Sequence, residues 1–275
     1  MKKSVTAWLA VPILAGAYFL WPKGGSERFL LTGSSTIAPI LQLVAEDLHA
    51  ADPALLIDVE TGGSSRGIQD ARARQCDVGM ASRDLKPEES AGLDVQKIAY
   101  DGVAMIVHTS NPLERLSREQ VLGIYKGAIG DWKDVGGGEG EIYVVNKAEG
   151  RATLTVFLEH FQLKNSEIQA DAVIGDNAQG VRMAAGNPRA IAYVSIGEAL
   201  SAIERGESIR LVALDGVQPT KTTVADGSYP LRRNLYLLFP GEPDATGRKI
   251  LAHLASDRGR EILTQLGFTP IDVAE

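Results

Sequence analysis

Gly62-Gly63-Ser64-Ser65-Arg66-Gly67 follows the alternating run Leu56-Ile57-Asp58-Val59-Glu60 and precedes a helix-compatible run from Ile68 to Arg74. Glycine permits positive φ and close backbone approach. The serines bring hydroxyls to the point where the first N–H groups of a helix have no partner. Strand, Gly/Ser turn and helix start together make a concavity of donors at the positive end of a helix, which suits an anion. Gly33-Ser34-Ser35-Thr36 stands in the same relation to the next helix-like run. The same letters admit two other readings. Gly63-Ser64-Ser65-Arg66-Gly67 fits the G-x-S-x-G nucleophile elbow, with Ser65 as nucleophile and His253 as the downstream base. The plainest reading is a helix cap in a glycine-rich turn.

Outward from this stretch, strands and helices alternate. Phe29-Leu30-Leu31-Thr32 reads as a strand, and Ile37, Ile40, Leu41, Val44 and Leu48 fall at helical spacing after it, with Ser35 or Thr36 as the cap. Pro39 is tolerable in the first turn. Asp77 to Ala81 is a short apolar strand that exits into Ser82-Arg83-Asp84. Separate strands are expected at Ile98-Ala99-Tyr100 and Val103–Val107, and Ser117-Arg118-Glu119-Gln120 is a capping-box pattern. The strand Ile142–Val145 runs into Lys147-Ala148-Glu149-Gly150-Arg151-Ala152-Thr153, a further strand–turn–helix junction carrying two cations. Asp176-Asn177 caps a helix through Met183. Strands at 190–195, 209–214 and 235–239 and two terminal helices complete an α/β pattern. Ligands of open α/β sheets bind at the carboxyl ends of strands, where these junctions lie.

The rest of the composition narrows the class. The 275 residues, 44% hydrophobic and 23% charged, suffice for two domains or lobes with a real core. A formal net charge of −7 argues against a nucleic-acid partner but leaves a buried anion site open, because local donors govern such a site. Cys76 is the only cysteine and His49, His108, His160 and His253 are scattered, so neither a disulfide framework nor a metal site is expected, and no cofactor motif such as a P-loop occurs. Lys2 and Lys3 precede an apolar run from Val5 to Trp21, with Ala15-Gly16-Ala17 matching a cleavage site. Residues 1–27 thus read as a signal peptide or as an N-terminal membrane anchor plus linker, and either places the body outside the cytoplasm.

With these residues in place, the chain resembles the phosphate-binding proteins of high-affinity phosphate ABC importers, from about Phe29 to the C-terminus. The marks are Gly33-Ser34-Ser35-Thr36 with Pro39, Gly62 to Gly67, Asp77 to Arg83, Ile191 to Ser195, Asp215 to Thr220, Tyr229-Pro230-Leu231 and the Ser256…Gly259…Gly267-Phe268…Pro270 ending. The resemblance implies a two-lobed periplasmic-binding-protein type II fold, each lobe a sheet flanked by helices, with the ligand cleft between. Crossings near Tyr100–Val107 and Ser228–Leu235 would divide it into lobe one (28–101 and 230–275) and lobe two (102–229). Carried over by position, the phosphate contacts are Ser35, Thr36, Ser64, Ser65, Arg83, Lys147, Arg151 and Thr153. The partners implied are inorganic phosphate and an ABC permease in the inner membrane.

The Lys147–Thr153 loop departs from the family pattern. Lys147 stands for an arginine, Arg151 for a serine and Ala152 for a glycine, and a lysine point charge does not reproduce a bidentate guanidinium. The aspartate that accepts the proton of hydrogen phosphate in one branch of the family aligns here with Ser82 or Arg83. Glu149 and Asp84 are the acids left to replace it. The departures keep a second role in view on the same fold, a membrane-anchored oxyanion sensor or scaffold. For the hydrolase reading, Thr61-Gly62-Gly63 adds slack to the elbow and His253 falls inside an amphipathic helix.

Overall fold

The computed structural model describes residues 28–271. Its first half comprises β1 (Phe29–Gly33), α1 (Ala38–Ala51), β2 (Ile57–Thr61), α2 (Ser64–Arg72), β3 (Val78–Ala81) and the single turn α3 (Pro87–Ser90). The long strand β4 (Asp94–His108) leads into the second half. There follow β5 (Arg115–Leu116), α4 (Arg118–Tyr125), β6 (Tyr143–Lys147), α5 (Ala152–Phe161), β7 (Ala172–Ile174), α6 (Asn177–Gly186), β8 (Ala190–Ser195), α7 (Ile196–Glu204), β9 (Ile209–Leu211), β10 (Ala213–Leu214) and α8 (Lys221–Ala225). The chain then returns through β11 (Arg232–Phe239) to α9 (Ala245–Ala255), α10 (Asp257–Gln265) and β12 (Thr269–Pro270).

One curled sheet runs in the order β2-β1-β3-β11-β4-β8-β6-β7, with β9 and β12 also on β4. The neighbours β2, β1 and β3 are parallel, as are β8, β6 and β7, while β11 and β4 are antiparallel partners between them. Two large apolar clusters sit on this frame. One joins Leu31, Ile37, Leu41, Val78, Ala99, Leu235, Ile250 and Ile262. The other joins Val103, Met105, Tyr125, Trp132, Phe157, Ile191, Tyr193 and Leu231. In the second cluster the Phe157 and Tyr193 rings stack with centroids 4.2 Å apart. The changeover between clusters falls between Ala99 and Val103 on β4 and between Leu231 and Leu235 on the way back.

The α/β expectation holds, and two local expectations change. The strands expected at 98–100 and 103–107 are one continuous strand. Asp101 and Gly102 do not interrupt it, because the Asp101 carboxylate is neutralised by Arg233 and Gly102 is where Ile196 packs, its Cδ1 2.5 Å from the position of an added Cβ. The cap of α1 is neither Ser35 nor Thr36. The N-cap is Ile37, without a side-chain cap bond, and Ser34 Oγ accepts from the Thr36 and Ile37 N–H groups at 3.2 and 3.4 Å in the turn ahead of it. Ser117 and Asp176 cap α4 and α6 as expected, each in a capping box with a glutamine three residues on. Among the described residues no helix is long and apolar enough to cross a membrane. The N-terminal run 1–27 lies outside them.

Candidate functional site: an oxyanion cleft

The helices α1, α2, α5 and α6 begin at the carboxyl ends of β1, β2, β6 and β7, and all four beginnings border one narrow cleft. Its lining is Ser34, Ser35 and Thr36 ahead of α1, Gly63 and Ser64 at α2, Ser82 after β3, Arg151, Ala152 and Thr153 at α5, and Gly175 ahead of α6. Hydroxyls, first-turn N–H groups and a guanidinium face it, and among the described residues no carboxylate lines it. Helix starts contribute partial positive charge as well as donors.

Beneath the cleft lies an ion pair that the charge pattern alone did not single out. Arg233 on β11 stands opposite Asp101 on β4 in the sheet register, and its Nε and Nη2 donate to Asp101 Oδ2 at 3.0 and 2.7 Å. Both side chains are essentially inaccessible, 1% and 0% exposed. Asp101 Oδ1 accepts from the Gly197 N–H at 3.2 Å, so both of its oxygens are bonded. Arg233 has donors left over. Nη2 reaches Thr36 Oγ1 at 3.0 Å, and Nη1 lies 3.4 Å from Ser82 Oγ and 3.5 Å from Thr153 Oγ1. One arginine thereby orients hydroxyls on both sides of the cleft.

Ser82 Oγ also accepts from Ser34 Oγ at 2.9 Å, and Ser64 Oγ accepts from the Ser82 N–H at 3.0 Å. Ser64 therefore secures the end of β3 and does not cap its own helix, whose N-cap is Gly63 with φ +94°. That positive φ is available only because residue 63 is glycine, and an added Cβ would meet the Gly150 carbonyl at 2.6 Å. The two sides of the cleft touch here, with the Ser65 N–H donating to Gly150 O at 3.2 Å and Asn177 Nδ2 donating to Thr36 Oγ1 at 3.0 Å. Arg151 Nη1 is buried and has no hydrogen-bond partner among the described residues. A buried guanidinium nitrogen without an acceptor is costly and marks a place where an anion's oxygen fits.

Of the residues expected to contact ligand, Ser35, Thr36, Ser64, Arg151 and Thr153 line the cleft. Ser65, Arg83 and Lys147 are not among the lining residues. Arg83 is clamped to Glu89, at 2.7 and 2.8 Å, with a further bond to Asp84 O, because the turn after β3 carries it toward α3. This guanidinium holds the Glu89 carboxyl down at about 2. Lys147 turns its ammonium behind the cleft, to Asp176 O at 2.7 Å and Asn177 Oδ1 at 3.4 Å. Burial first, and then the Arg233 and Arg151 charges, bring its pKa down to about 7 against the pull of Asp176 and Glu198. Ser65 sits in the first turn of α2 with its N–H on Gly150, and His253 is bonded to Asp47 at 3.1 Å, so these two do not form a nucleophile–base pair. The acids offered as proton acceptors are occupied elsewhere: Asp84 accepts from Asn234 and Tyr236, and Glu149 from Asn165.

Ser34, Asp101, Asn177 and Arg233 also belong to the site and were not among the expected contacts. Once Asp101 is known to lie inside a continuous strand, its carboxylate must find a buried cation, and Arg233 on the neighbouring β11 supplies it.

A family model described as the PBP superfamily domain matches residues 22–258. The phosphate-binding protein PstS of Bacillus subtilis is 26% identical over 253 residues, covering 90% of this chain and 81% of that protein. A structure described as a putative phosphate ABC transporter substrate-binding protein with bound phosphate, from Clostridium perfringens, superposes with a TM-score of 0.81 at 31% identity, over 89% of this chain and 100% of that one. An ABC-type phosphate transport receptor from Vibrio cholerae gives a TM-score of 0.71 at 27% identity, over 88% and 100%. The family model spans most of the chain and the solved structure from Clostridium perfringens superposes over 89% of it, and this chain belongs to the PBP superfamily.

Proposed function

We propose that the protein is an extracytoplasmic substrate-binding protein that holds inorganic phosphate between two hinged lobes and delivers it to an ABC permease. The observation that carries this is the buried, unpartnered Arg151 Nη1 in a cleft otherwise lined by hydroxyls and helix starts. The names borne by its relatives, phosphate-binding protein and phosphate transport receptor, point the same way. Arg151 and Arg233 supply charge, and Ser35, Thr36, Ser64, Ser82 and Thr153 supply hydroxyls. Ser65, Arg83 and Lys147 act from outside the contact set. The lobes are 28–101 with 230–275, and 102–229, joined where β4 and β11 run side by side. Residues 1–27 serve as signal peptide or anchor, with the permease in the inner membrane. A binding role is favoured over hydrolysis because Ser65 lacks His253 as a base.

Titration calorimetry on protein unfolded and refolded to strip bound ligand tests the reading. Tight one-to-one phosphate binding is expected, and Arg151→Ala should weaken it roughly 10- to 100-fold, the worth of one charge-assisted bond. Unchanged affinity in that variant would remove the site from this cleft. Rejecting a fully ionised anion takes a buried acceptor, and the lining contains no carboxylate, so sulfate is expected to compete measurably with phosphate.

A further inference from the structure

Thr36 Oγ1 accepts two hydrogen bonds at 3.0 Å, one from Arg233 Nη2 and one from Asn177 Nδ2. A hydroxyl has two lone pairs and one proton. With both lone pairs filled, the proton of this cleft-lining residue can only be donated. Asn177 makes its bond across the cleft, and its other end faces donors: Lys147 Nζ and the Ser195 N–H, each 3.4 Å from Oδ1. Those donors decide which way the amide points.

We propose that Asn177, oriented by Lys147, is a positioning residue that makes Thr36 an obligate donor to the oxyanion, and that Lys147 ties anion affinity to its own protonation. The proposal rests on the phosphate reading above. Lys147 lies at the end of β6, 2% exposed, and the charged groups around it come from several elements. Asp176 ahead of α6 and Glu198 on α7 favour its ammonium, while Arg233 on β11 and Arg151 ahead of α5 oppose it. Tyr193 on β8 meets its backbone N–H with a hydroxyl oxygen, and burial pushes the Glu198 carboxyl upward. Burial brings the Lys147 pKa down to about 7. A dianion in the cleft favours the charged form and raises that value. Binding therefore takes up a proton between the two values, and in that window affinity falls as pH rises.

The test is phosphate titration calorimetry of the whole protein between about pH 6 and about pH 8.5, spanning the titration of a lysine depressed to neutrality. Native protein, Lys147→Met and Asn177→Ala are compared, each checked for cooperative thermal unfolding. Phosphate's own ionisation enters all three equally, so ratios of dissociation constants isolate the protein's contribution. The native-to-Lys147→Met ratio should rise roughly fivefold or more across the range, and Asn177→Ala should weaken binding roughly tenfold near neutrality. Heats in buffers of different ionisation enthalpy count protons on the native chain itself, and uptake must exceed what phosphate brings. Native protein that binds phosphate with a flat ratio and no excess uptake, or an Asn177→Ala variant of unchanged affinity, would overturn the relay alone. Native protein that does not bind phosphate would overturn both readings.

Discussion

Asp101 and Arg233 form a buried pair in which each charge depends on the other. Arg233→Ala leaves the Asp101 carboxylate uncompensated, and a loss of about 3–5 kcal/mol in denaturant unfolding is expected. The double variant Asp101→Leu with Arg233→Met should recover much of that stability while losing the hydroxyl orientation in the cleft, which separates folding from binding. Glu89 gives a pH signature of a different kind. Its carboxyl is held at about 2, chiefly by the Arg83 hydrogen bonds, against an ordinary value of 4.5. Its contribution to stability is therefore complete above the unfolded value and is lost as pH falls toward 2. Glu89→Gln should flatten acid unfolding in that window, read by circular dichroism against pH. At this scale the sequence was most legible where a residue's role is local. Ser35, Thr36, Ser64, Arg151 and Thr153 sit on helix starts that turn chemistry announces. Arg233 reaches its partners across 132 and 197 residues of chain, and no local pattern marks such a contact.

At Gly67 helix α2 lies so close to β1 and β3 that no side chain fits between them. A Cβ at Gly67 would meet the Met80 and Thr32 carbonyl oxygens at 2.7 Å each and Gly33 Cα at 2.9 Å, all backbone. Gly67→Ala is expected to cost about 1–3 kcal/mol in unfolding experiments, and to weaken phosphate binding by moving Ser64 away from Ser82. The glycines of Gly62 to Gly67 thus act in packing as much as in the turn, and the helix begins at Ser64, ahead of the apolar run that signalled it. Alternation and capping boxes made most elements readable. The continuity of β4 was not, because Asp101-Gly102 looks like a turn until its partners on β11 and α7 are in place. The short elements α3, β5 and β12 carry too few residues for any periodicity to show.

Closure of the whole molecule is accessible through one backbone contact, Ser65 N–H on Gly150 O. The Ser65 Cβ lies 3.8 Å from where a Cβ on residue 150 would stand, within the usual disulfide range. Residue 150 has φ +81°, so a side chain there carries strain of about 1–2 kcal/mol. Ser65→Cys with Gly150→Cys, oxidised after loading, should retain phosphate through a dialysis that empties the reduced form, and Cys76, being buried, stays out of the exchange. Equal loss from both forms would mean that the two sides need not part for release. The register pair Arg233 opposite Asp101 lies on the two strands that cross between the halves, at the fulcrum of any such movement. A charge at a fulcrum does not travel. In the hinged receptor proposed above, the anion would meet the same fixed cation whether the jaws are apart or together, so capture and clamping would be separate events, with clamping left to Arg151 and Thr153 on the opposite arm.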